Sequence, residues 1–207
     1  MPPMLDNKLY AKAAIIFLWL NIWRSAAWLI YNVVGHNAAQ HQATAFVVAV
    51  GIIIMVGSTA TFLAWFYRAY KNLDLAGVNT LYTPGWAIGS FFVPVMNLIR
   101  PYRIMEEIWL ENAGRINDPN STESPAEEQP GALLKWWWGC KLLSLVSIFA
   151  NHKTGLRDFS AIVAPAREVC VWLGSFFTLL AAVFAIRIIK KVSTFEEAVS
   201  ERYQNEA

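Results

Sequence analysis

Residues 43–67 form a run of 25 residues without one charged side chain. Three more runs of similar character lie at 13–34, 133–150 and 169–189. An apolar stretch of roughly 18 residues or more is long enough to cross the hydrocarbon core of a bilayer as a helix. The runs are not equally clean. The first contains Arg24, the third contains Lys135 and Lys141, and the fourth is free of charge as far as Arg187. They hold the charged fraction of the chain to 15%, against about 25% in a soluble domain. Helices that are apolar on every side have nowhere to hide in 207 residues of water-soluble protein. The reading is an integral membrane protein. The first run is too long for the apolar core of a signal peptide and is interrupted by Arg24, so it is read as a retained span.

Lys and Arg in short loops mark the cytoplasmic side of a membrane protein. The uncertain element is 84–110, which starts apolar and ends charged. If it does not cross, there are four spans and both termini are inside. The inner side then holds Lys8, Lys12, Arg68, Lys71, Arg100, Arg103, Arg115, Lys135, Arg187, Lys190, Lys191 and Arg202. The outer side holds only Lys153, Arg157 and Arg167. If the element does cross, the Arg187, Lys190, Lys191 cluster moves outside and the bias disappears. The charge distribution therefore predicts an all-α membrane protein with four transmembrane helices. A re-entrant or interfacial helical segment at 85–110 lies between the second and third. Residues 112–132, rich in acidic side chains and proline, are expected to form a flexible cytoplasmic loop. The integral domain is placed at 1–191 and a cytoplasmic tail with a short polar helix at 192–207.

Within the central segment, Pro94 removes a helical hydrogen bond. Pro101 suits the first turn of a new helix, where its missing N–H costs nothing. That helix places Ile104, Met105, Ile108 and Trp109 on one face. Arg103, Glu106, Glu107 and Glu111 lie on the other, with Arg103 and Glu107 spaced for an ion pair and Gly114 as a stop. Gly57, Ala60, Thr61 and Ala64 give the second span a small-residue face suited to close helix packing, read as the bundle core. Trp136, Trp137 and Trp138 are read as interfacial anchors at the inner end of the third span.

The central segment also carries a family resemblance. Trp65, Arg68, Asn72 and Leu73 are followed by Pro84-x-Trp86 and by Phe92-Val93-Pro94-Val95-x-Asn97-Leu98-x-Arg100-Pro101-Tyr102. Met105-x-Glu107-Ile108-Trp109 completes the pattern. Together these resemble an uncharacterised bacterial membrane family, domain of unknown function 4328. The resemblance is specific over 62–110 and looser through the fourth span. It implies a multi-pass protein of the bacterial inner membrane and brings no activity with it.

Arg24 is the polar residue most in need of a partner, because a charge deep in a bilayer is expensive. No span offers it a mid-depth carboxylate. The expectation is that Arg24, with Asn21 one turn away, docks against the broken segment through Asn97, Glu106 and Glu107, with Arg100 nearby. Arg68, Lys71, Arg103 and Lys135 would line the inner rim, where cations attract lipid headgroups. His36, His41 and His152 fall on the outer side without metal-ligand spacing, so no metal and no cofactor are expected. Cys140 and Cys170 fall near opposite faces, so no disulfide is expected.

No catalytic motif is present: there is no HExxH, nucleophile elbow, Walker loop or Cys-x-x-Cys. Nothing points to nucleic acid. Three function classes remain open. The first is a non-enzymatic scaffold or interaction protein, with membrane lipids, a second copy or another membrane protein as partner. The second is a small transporter, channel or lipid-binding protein that uses 84–110 and Arg24. The third is a membrane enzyme acting on lipid.

Overall fold

The computed structural model describes residues 5–34, 41–117, 131–153 and 160–205. Every described element is helical: α1 (Lys8–Val34), α2 (His41–Leu75), α3 (Gly85–Gly89), α4 (Arg100–Asn117), α5 (Gly131–Lys153) and α6 (Ser160–Asn205). A single 3-10 turn, Met96–Leu98, stands between α3 and α4. Among the described residues, two helices are long and apolar enough to cross a membrane, within Phe46–Leu75 and Trp172–Glu201. Only 6% of the most apolar stretch of the first is buried inside the protein, and 33% of the second. Phe46, Ile53 and Val56 of α2 are more than half exposed. A surface of that kind calls for an apolar surrounding rather than water.

The long helices run antiparallel in sequence order. Asn7, just before α1, meets Trp65 of α2, Phe17 meets Ser58, and Arg24 lies against Gly51. The Ser58 hydroxyl donates to the Phe17 carbonyl at 2.9 Å, and Gly57 beside it has no room for a Cβ because the Phe17 ring fills the place. The same device recurs between α5 and α6, where a Cβ on Gly174 would stand 2.8 Å from that of Ser147.

The core sits at one end of this bundle. The start of α1 (Ala11, Ala14), the end of α2 (Trp65, Phe66, Leu73), the start of α5 (Leu134, Trp137) and the late part of α6 (Ile186, Ile189, Val192) bury their side chains together. The amphipathic helix α4 closes that end. Its Ile104, Met105 and Ile108 are fully buried and Trp109 is 7% exposed, which is the face the sequence spacing predicts. Phe62, Phe66, Phe91 and Trp137 form an aromatic knot with ring centroids 5.7–6.3 Å apart. Because α2 ends and α5 begins in this one core, the segment between them starts and finishes at the same end of the molecule.

Several expectations are corrected here. The core lies beyond the small-residue face of the second span: Ala60 is exposed, whereas Trp65, Phe66 and Ala69 are buried. Large aromatic side chains fill the space where the helices converge, whereas Gly57 of the small-residue face serves the α1–α2 contact. Trp137 and Trp138 are core residues, and only Trp136 faces outward, at 61% exposure. Gly114 does not stop α4, which continues to Asn117, so the expected loop at 112–132 begins later than its composition suggests. Residues 118–130 of that loop lie outside the described residues. The tail from 192 is no separate element. It continues α6 without a break and buries Val192, Phe195 and Val199.

Candidate functional site

The central segment breaks where its sequence says it should. Helix α3 lasts one turn, after which Phe91 and Phe92 donate their N–H groups to Ile88 and Gly89 at 3.1 Å each. Asn97 donates to Val93 at 2.8 Å across Pro94. Tight local turns thus pair the N–H groups of Phe91, Phe92 and Asn97 within the segment, the kind of pairing that irregular chain at membrane depth would need. The side chains do the opposite and stay uncovered. Phe92 and Val95 are each 74% exposed, and Leu98 and Ile99 are 52% and 60% exposed. The result is an apolar tip standing out from an otherwise well-packed end.

Three contacts fix the tip to the core. The Trp138 indole N–H donates to the Leu98 carbonyl at 2.9 Å. The Arg100 guanidinium lies between aromatic rings, 4.2 Å from the centre of Trp86 and 5.1 Å from that of Tyr82. Its Nη1 is buried and has no hydrogen-bond partner. The Glu107 carboxylate accepts from the Leu81 N–H at 2.7 Å and from the Tyr70 hydroxyl at 2.8 Å. Tyr70 in turn accepts from the Tyr82 N–H at 3.0 Å. Residues 81–82 are therefore tied to both α2 and α4.

Against the tip lies an open groove of ≈ 400 Å³. Leu98, Ile99 and Trp138 supply its apolar lining, and Tyr102, Arg103 and Glu106 of α4 its polar lining. The Tyr102 hydroxyl donates to Glu106 Oε1 at 3.1 Å, and Arg103 Nη1 lies 3.4 Å from Glu106 Oε2. Burial raises the Tyr102 pKa, and the Glu106 carboxylate raises it further, so the hydroxyl keeps its proton and orients that carboxylate. The Arg103–Glu106 pair is long and 59% exposed on the arginine side, so it contributes little to stability by itself.

A second polar cluster knots the packed end together. Asn72 is 2% exposed. Its Oδ1 accepts from the Leu5 N–H at 2.8 Å, and its Nδ2 donates to the Leu5 carbonyl at 3.1 Å and to Glu196 Oε1 at 3.0 Å. Asn7 Nδ2 donates to Glu196 Oε2 at 3.3 Å and to the Trp65 carbonyl at 3.4 Å. Alongside, Arg68 donates to the Asp6 carbonyl at 2.6 Å and stacks on Tyr10 with 4.4 Å to the ring centre. The N-terminal segment is thereby strapped across α2 and α6. Sequence spacing gave no signal for this knot, because its members lie 58 to 189 positions apart. Asn72 stands out only through the family pattern, Arg68 through that pattern and as a rim cation, and Asn7, Tyr70 and Glu196 were missed.

Arg24 does not meet the broken segment. Its Nε and Nη2 donate to Asn21 Oδ1 at 3.2 and 2.9 Å, and Nη2 also donates to Ser25 Oγ at 3.4 Å. Both partner groups belong to its own helix. The expected cluster of Arg24 with Asn97, Arg100, Glu106 and Glu107 therefore does not form. Arg24 sits near the middle of the α1–α2 pair, whereas the other four belong to the packed end. The expected ion pair of Arg103 with Glu107 gives way to Arg103 with Glu106, because Glu107 is turned inward to Tyr70 and Leu81. Of the rim cations, Arg68 is occupied by the N-terminal strap and Lys71 lies 5.9 Å over the Tyr67 ring. Arg103 lines the groove, and Lys135 is exposed at the start of α5. His36 and the side chains of His41 and His152 lie outside the described residues. Among the described residues no three His, Cys, Asp or Glu side chains gather as metal ligands would. Cys140 and Cys170 are free thiols.

No curated protein and no solved structure matches the chain. The family model of DUF4328, a domain of unknown function, matches residues 31–196, and the chain belongs to that family.

Proposed function

We propose that this chain is a multi-pass protein of the bacterial inner membrane with four spans and both termini in the cytoplasm. Its central segment, 85–110, dips into the cytoplasmic leaflet and holds membrane lipid in the groove beside it. In this reading the protein acts by interaction rather than catalysis, and phospholipid is its immediate partner. The observation that carries the reading is the apolar tip of Phe92, Val95, Leu98 and Ile99. It is exposed yet rigidly backed, and it borders a groove whose far side carries Arg103 and Glu106. A cytoplasm-facing element of this polarity sits most stably at the boundary between headgroups and acyl chains. The positive-charge count and the return of the segment to its starting end both support the topology. The transport reading loses its main support, because Arg24 is held by its own helix instead of facing the broken segment.

Photo-crosslinking tests this reading. With benzoylphenylalanine at Val95, the expected product in native membranes is a phospholipid adduct. The same group at Asn79, an exposed residue on the polar side of the segment, should give none. Cross-linking of Val95 only to another protein would overturn lipid as the partner and favour a scaffold.

A further inference from the structure

The groove beside the central segment carries one cation and one anion side by side, and this pairing is informative about its occupant. A site built for an anionic headgroup would place donors and cations around it and keep carboxylates away. Here Glu106 stands beside Arg103, 27% exposed, with Tyr102 holding one of its oxygens toward the groove side of α4. Both charges are only loosely committed to each other at 3.4 Å, so each has hydrogen-bonding capacity left for a ligand. The Trp138 indole N–H is already used by the Leu98 carbonyl, so the tryptophan offers the groove its ring and no donor. Leu98, Ile99 and that ring supply the apolar wall on which an acyl chain can lie.

We infer that the groove selects a zwitterionic phospholipid with a primary amine, of the phosphatidylethanolamine type. The phosphodiester would accept from the Arg103 guanidinium. The ammonium would donate to Glu106, and the glycerol end of an acyl chain would lie along Leu98, Ile99 and Trp138. Charge complementarity decides among headgroups. Phosphatidylglycerol has the phosphate, and its hydroxyls can donate to Glu106, but it brings no positive charge to balance that carboxylate. Phosphatidylcholine has a cation without N–H groups, so it cannot donate to the carboxylate. The inference rests on the lipid-binding reading proposed above and narrows it to one headgroup class.

The test uses the full-length protein in nanodiscs containing equal parts phosphatidylethanolamine, phosphatidylcholine and phosphatidylglycerol, with retained lipid counted by native mass spectrometry. The wild-type protein is expected to retain phosphatidylethanolamine about tenfold over the other two, the selectivity of one charge-assisted hydrogen bond. Glu106→Gln should abolish that preference and let phosphatidylglycerol compete equally or better. Arg103→Gln should weaken retention of all three. Both side chains face outward on α4, so these variants should melt as the wild-type protein does. Lipid retained without headgroup preference, or a preference that survives Glu106→Gln, would overturn the inference and leave the lipid-binding reading standing. Absence of any retained lipid, together with no lipid adduct at Val95, would remove both.

Discussion

Replacing Asn72 with leucine is expected to destabilise the fold by about 3 kcal/mol. Leucine is a better helix former than asparagine and has similar volume, so neither propensity nor a cavity contributes to the loss. The cost comes from the partners left behind. The Leu5 N–H, the Leu5 carbonyl and Glu196 Oε1 all lose a bond made to Asn72, the Leu5 pair at a half-buried position and the Glu196 oxygen at a buried one that water does not readily reach. For a chain of this length that corresponds to roughly 10 °C in melting temperature. The N-terminal segment should also become open to protease, since Asn72 holds it across α2. Glu196→Gln is the informative companion. It keeps one acceptor oxygen and removes the burden of a buried carboxylate, so its loss should be clearly smaller. An unchanged melting temperature in Asn72→Leu would mean that the strap carries no weight.

The second large effect is expected at Tyr70. Tyr70→Phe removes one oxygen that both donates to Glu107 and accepts from the Tyr82 N–H, and about 2 kcal/mol is expected from those unmet groups. Limited proteolysis should then cut within 78–84 faster than in the wild-type protein, where those bonds hold residues 81–82. Glu107→Gln should be milder, because its amide can donate to a Tyr70 hydroxyl that reverses direction. The two residues form one unit, so the double variant should lose less than the two single losses added together. Strict additivity would show that the bonds act independently and that the turn is held by something else.

The helices and the break between α3 and α4 were legible in the sequence for identifiable reasons. Apolar length marks α2 and α6, and the i, i+1, i+4 face of Ile104, Met105 and Ile108 marks α4. Pro94 and Pro101 mark where the backbone must turn and restart. What could not be read was the partner of each polar side chain. Arg24 looked like a charge in search of a distant carboxylate, yet Asn21 and Ser25 on its own helix satisfy it. Trp137 and Trp138 had the position of interfacial anchors, but convergence of α2, α4 and α5 at that end makes them core. In the tail, Thr194 followed by Glu196 and Glu197 reads as the start of a short polar helix. Glu196 is instead the hub of the knot, and its partners Asn7 and Asn72 are 189 and 124 residues away in sequence. Local pattern fixes elements and faces. Long-range hydrogen bonding depends on how those elements meet.

The central claim is that residues 84–110 enter the membrane from the cytoplasmic side and return to it. Its most direct test places single cysteines at Asn79 and at Lys135, exposed positions on either side of the segment, in a background lacking Cys140 and Cys170. Each is challenged with a membrane-impermeant maleimide. Both positions are expected to resist labelling in intact cells and to label fully in inverted membrane vesicles. Labelling of one position from outside and the other from inside would make the segment a fifth span and contradict the account.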